Sequence, residues 1–75
     1  MTIGENIKKY RTAAGITQAH LAEAVKTTQP AISDYEAGNV TPNIKMADKL
    51  AQALGVTLMD LLRDTISIRE ELDRR

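Results

Sequence analysis

An all-α fold of five short helices in one domain is the prediction for this 75-residue chain. Strand signals are almost absent, and helix start and stop residues recur about every ten to fifteen positions. The apolar side chains suit a small helical core. There is no Phe or Trp, so that core is built from Ile, Leu, Val and Ala.

The first helix opens at "TIGE", Thr2 to Glu5, a capping-box pattern in which the Thr hydroxyl accepts a free backbone N–H and Glu5 reaches back. Ile3, Ile7, Tyr10 and Ala14 then follow at helical spacing until Gly15 supplies a stop. The second starts at Thr17 and places Leu21, Ala22 and Val25 on one face. Thr28 caps the third, which ends at Gly38 and carries only Ile32 and Tyr35 as large apolar residues. Asn43 caps the fourth, with Ile44, Ala47, Leu50, Ala51 and Leu54 inward and Gly55 closing it. "TLMD" at Thr57 to Asp60 opens the fifth, which carries Leu58, Leu61 and Leu62. The domain is expected over 1–64. A C-terminal tail over 65–75 reads as a short helix from "SIRE", an extended piece or a polar end.

Composition narrows the function. Ten Lys and Arg balance ten Asp and Glu, so net charge gives no push toward nucleic acid or an anionic membrane. Without cysteine, disulfides and thiolate metal sites are excluded, and a reducing cytoplasm fits. No apolar run approaches the roughly 20 residues that span a bilayer, and no signal-peptide pattern opens the chain. The single histidine, His20, has no second His or Cys to share a metal, and Asp60 and Asp64 suggest no pocket. No nucleophile–base grouping or glycine-rich phosphate loop stands out, so neither an enzyme, a cofactor nor a small-molecule ligand is expected.

The second and third helices are joined by little more than Lys26 and Thr27, the helix-turn-helix arrangement that offers its second helix to a DNA major groove. "GITQAHLAEAV", "TTQPAISDYEAG" and "TPNIKMADKLAQALGVTLMDLL" together resemble the phage-repressor and Cro-like (XRE-type) helix-turn-helix domains, over about Ile7 to Leu62. The resemblance implies a lambda-repressor-like five-helix bundle that regulates transcription by binding double-stranded DNA. Two departures stand out. Lys26 occupies a turn position where the family usually has Gly; a left-handed backbone there costs a non-Gly residue on the order of 1 kcal/mol, so a slightly different turn is expected. Asp34 stands where family members often carry a basic residue.

A wheel of about 100° per residue centred on Ile32 puts Tyr35 and Glu36 near the core and Pro30, Ser33, Asp34 and Ala37 outward. Pro30 is tolerated in the first turn but biases Gln29 away from helical dihedrals, which delays the expected helix start by one residue. Gln29 is the foremost base-reading candidate, because a glutamine amide pairs with adenine N6 and N7. Pro30 could pack on a thymine methyl, Ser33 could bond base edges or phosphate, and Asp34 could accept from cytosine N4. By resemblance, Gln18 bonds a phosphate and braces Gln29. Lys26, Asn39, Thr41, Asn43 and Lys45 form the expected phosphate-contacting rim. Arg11 and Glu36 each fall on the apolar stripe of their helix, and the resemblance implies that they pair as a structural tie.

One recognition helix reads too few base pairs to find a genomic site, so a homodimer on a near-palindrome is expected. Helices one to four would enclose the core, leaving Met59, Leu62, Ile66, Ile68 and Leu72 to associate; the alternative is that they fold back over the core. The rival reading is a protein-interaction module, such as an antitoxin or anti-repressor, on the same fold.

Overall fold

The computed structural model describes residues 2–63, and its elements there are five helices: α1 (Ile3–Ala13), α2 (Gln18–Ala24), α3 (Gln29–Ala37), α4 (Ile44–Leu54) and α5 (Leu58–Leu62). Each begins at a residue that can cap it. Thr2 and Thr57 form capping boxes with Glu5 and Asp60. Thr17, Thr28 and Asn43 accept from the N–H groups of His20, Ala31 and Met46. These acceptors satisfy helix-end donors that have no intrahelical partner. The boundary expected at 64/65 and the tail residues Ile66, Ile68 and Leu72 lie outside the described residues.

Ile7, Leu21, Ile32, Leu50 and Leu61 are fully buried, so each of the five helices contributes one large side chain to a common core. α3 packs against both α1 and α2, while α4 and α5 close the other side. Among the described residues, this arrangement holds α3 by one face. Ile32 and Glu36 are buried there, and Gln29, Pro30, Ser33 and Ala37 are exposed.

Four expectations need correction. Ile44 is 65% exposed rather than inward: it shares a stripe with Ala47 and Leu50 by spacing, but as the first residue of α4 it is not covered by any described element. α5 is not left free, because Leu61 is wholly buried and Asn6 Nδ2 donates to the Leu61 carbonyl at 2.7 Å, which ties α5 to α1. α3 starts directly after Thr28 at Gln29, so capping by Thr28 outweighs the local bias that Pro30 imposes. The turn after α2 does take the left-handed conformation, with Lys26 at φ 60°. Its geometry explains why. Thr27 N–H bonds Ala22 C=O at 2.9 Å and Lys26 N–H bonds Glu23 C=O at 3.2 Å, the paired closure that demands a left-handed residue between them.

Candidate nucleic-acid interface

α2, the turn and α3 together expose the N-terminal half of α3. The turn is closed by its own N–H groups, which donate to the Ala22 and Glu23 carbonyls of α2. Gln29 opens α3, and Pro30 in the first turn removes only a donor that would have lacked a partner. Gln29, Pro30 and Ser33 are exposed, and Asp34 is half-buried at the edge of the same face.

A hydrogen-bonded chain runs from the core to that face. Arg11 holds Glu36 through both carboxylate oxygens, Nε to Oε2 at 2.5 Å and Nη2 to Oε1 at 3.1 Å. Its remaining Nη1 donates to the Ile16 carbonyl at 2.8 Å. Gln18 Nε2 then donates to Glu36 Oε1 at 3.0 Å. Gln29 Nε2 approaches Gln18 Oε1 at 3.5 Å, the outer limit of a hydrogen bond. Four residues from three helices are thus brought together in one network.

The charge at its centre is secure. Burial pushes the Glu36 carboxyl up, but the hydrogen bonds from Arg11 and Gln18 and the nearby charges of Arg11 and Lys8 outweigh it, leaving it below the ordinary glutamate range. Arg11 is raised in turn, first by its hydrogen bond to Glu36. With side chains only 12% and 4% exposed, this pair sits where water screens poorly.

The other candidates lie around this network without joining it. Lys26 is exposed on the turn, and Asn39, Thr41, Asn43 and Lys45 are exposed between α3 and the start of α4. Asn43 already uses Oδ1 to cap α4 at 2.8 Å, which leaves its amide N–H groups for other partners. Met59 is 60% exposed and Leu62 half-buried on α5.

Sequence reasoning missed the bond between Gln18 and Glu36. Burial of Glu36 could be read from its spacing to Ile32, but the partner's reach across the turn could not. Asn6 and Gly4 were missed as well; both serve the frame that holds α3.

Among the described residues no group of three or more His, Cys, Asp or Glu is placed to hold a metal ion. An open groove of about 450 Å³ between the end of α2 and α4 is lined by Ala24, Val25, Lys26, Lys49, Gln52 and Ala53. It contains no carboxylate, hydroxyl or imidazole and does not touch the network. No helix among the described residues is long and apolar enough to cross a membrane.

Comparison with known proteins gives a consistent picture. The family described as helix-turn-helix matches residues 7–61. The SPbeta prophage-derived uncharacterized HTH-type transcriptional regulator YonR of Bacillus subtilis is 37% identical over 62 residues, covering 83% of this chain and 57% of that protein. Multiprotein-bridging factor 1 of Debaryomyces hansenii is 40% identical over 58 residues, covering 77% of this chain and 39% of the factor. This chain therefore spans little more than half, or less, of the curated relatives it matches. Among solved structures, the P22 c2 repressor in complex with a synthetic operator superposes with a TM-score of 0.77 at 31% identity, over 81% of this chain and 92% of that one.

Proposed function

We propose that this chain, which belongs to the XRE-type helix-turn-helix family of DNA-binding transcription regulators, is a sequence-specific repressor. In this reading α3 enters the major groove of a near-palindromic operator, and the chain acts as a homodimer in the cytoplasm. The observation that carries the reading is the chain Arg11–Glu36–Gln18–Gln29, which aims an exposed glutamine amide from the first residue of a one-sidedly held helix. Recognition helices read bases from this end.

Gln29 pairs with an adenine edge, Pro30 lies against a thymine methyl, and Ser33 and Asp34 reach neighbouring positions. Gln18, Lys26, Asn39, Thr41, Asn43 and Lys45 hold the phosphates on either side. The zero net charge makes nonspecific binding weak, so affinity relies on two half-sites about 34 Å apart. Met59 and Leu62, with Ile66, Ile68 and Leu72, supply the dimer contact. The likeness to the P22 c2 repressor, solved in complex with a synthetic operator, supports the repressor role.

Selection from a random duplex pool tests this reading. A two-fold symmetric consensus is expected, with affinity falling steeply as salt rises. Failure to enrich any sequence, together with no duplex binding at low salt, rules it out. That outcome would favour a protein-interaction module, the second reading supported by the neutral charge and by Asp34 at the edge of the exposed α3 face.

A further inference from the structure

We propose that Glu36, though it faces the core, is a positioning residue that makes Gln29 prefer adenine over guanine by fixing which way the amides of Gln18 and Gln29 point. The proposal rests on the reading of α3 as a base-reading helix.

An ionised carboxylate only accepts hydrogen bonds, whereas an amide has one end that donates and one that accepts. Arg11 binds both oxygens of Glu36, and Gln18 approaches one of them with Nε2 at 3.0 Å. Beside an acceptor, Gln18 must present its NH2 end. Its oxygen therefore faces Gln29, whose Nε2 lies 3.5 Å away. One of the two N–H groups of Gln29 is spent in this contact. What Gln29 offers outward is one N–H and its Oε1, a single donor beside a single acceptor.

Adenine presents the N7 acceptor and the N6 donor in the major groove, which that pair matches. Guanine presents two acceptors, N7 and O6, and would need two donors. The pair buried behind α3 thus selects the face that Gln29 shows, without touching DNA.

Glu36→Gln reverses the logic while keeping the shape. Arg11 has only donors, so it would hold the oxygen of the new amide and turn its NH2 toward Gln18. Gln18 would then offer its oxygen inward and its NH2 to Gln29. Both N–H groups of Gln29 would be free for guanine.

The test uses the full chain and duplexes differing only by A or G at the position where Gln29→Ala loses its preference. Binding competition should show the A-over-G ratio falling about tenfold in Glu36→Gln, the scale of one bidentate pair. Arg11→Lys keeps the carboxylate ionised, so it should lower thermal stability and leave the ratio unchanged. If Glu36→Gln does not fold, Gln18→Met decides. That variant keeps the Arg11–Glu36 pair, removes the brace and should also lower the ratio.

A folded Glu36→Gln or Gln18→Met variant with the wild-type ratio overturns the proposal, even where Gln29→Ala confirms base reading. A fall in the ratio with Arg11→Lys equal to that of Glu36→Gln also overturns it, since the effect would then follow stability. Wild-type protein without any sequence preference overturns the base-reading role itself, and this proposal with it.

Discussion

Gly4 of α1 lies against the backbone of Tyr35 in α3 so closely that a Cβ on it would run into the Tyr35 carbonyl oxygen. The neighbour is backbone, so no side-chain rotation could relieve the clash. Gly4→Ala should therefore force α1 and α3 apart, despite the better helix propensity of Ala. The expected loss is about 3 kcal/mol, at the upper end of ordinary overpacking, measured as a drop in the urea midpoint. A stability equal to or above wild type would show that the two helices are not held this closely.

Asn6 is buried, and its Nδ2 donates to the long-range Leu61 carbonyl. Asn6→Ala should cost about 1–3 kcal/mol, because it removes the donor and leaves that carbonyl without it. Hydrogen exchange should show the amides of α5 losing protection before those of α2 and α3. Uniform loss across all helices would mean that Asn6 does not specifically anchor α5.

Lys26 holds a left-handed backbone conformation without being glycine. Lys26→Gly relieves strain on the order of 1 kcal/mol, offset in part by the greater freedom of glycine in the unfolded chain, about 0.4–1 kcal/mol. A small net stabilisation is expected in thermal denaturation. If Lys26 also contacts phosphate, the same variant should flatten the salt dependence of duplex binding by about one unit. The two readouts separate the residue's conformational cost from its charge.

The carboxyl of Glu36 lies below its ordinary range in the folded state. A depressed folded value means that the unfolded chain binds the proton first. The stabilising contribution is complete above about pH 4.3, the ordinary glutamate value, and is lost as pH falls through the lower folded value. Glu5 and Asp60, lowered by their capping hydrogen bonds to Thr2 and Thr57, act in the same direction. Stability measured from pH 6 downward should fall more steeply in wild type than in a folded Glu36→Gln variant. Parallel curves would place the acid sensitivity elsewhere.

Gln29→Ala should lower specific DNA affinity by about 1–3 kcal/mol and relax preference at one base pair per half-site. Lys45→Ala should weaken all sequences alike and flatten the salt slope by about one unit. A selected consensus unchanged by Gln29→Ala, or a sequence-selective loss from Lys45→Ala, would reverse the roles given to these residues.

Helix starts were legible because caps are local. Thr2, Thr17, Thr28, Asn43 and Thr57 each sit within three residues of the N–H they satisfy. The inward stripe of α4 was legible from Ala47 to Leu54 but not at Ile44, since periodicity says which side a residue faces and not whether anything covers it. Gly4 and Asn6 carry no such local mark. The Asn6 partner lies 55 positions away, and Gly4 reads as an ordinary residue inside a capping box. Asn6 resembles any polar helix residue until α5 is in place. At the candidate interface, Glu36 could be placed by its spacing from Ile32 and Gln29 by its position at the start of α3, but the Gln18 bond that joins them depends on how the turn aims α2.

The bond from Asn6 to Leu61 also bears on the order of assembly. Closing a loop of this length is an entropic loss recovered only when both ends dock, whereas α2 and α3 meet across a short turn. The helix-turn-helix unit should thus form early and the α1–α5 closure late. Damage to the closure then falls mainly on the unfolding rate and leaves the folding rate nearly untouched. A chain weakened there folds as quickly as before and survives for a shorter time, so its abundance in a cell would be set by how soon it reopens.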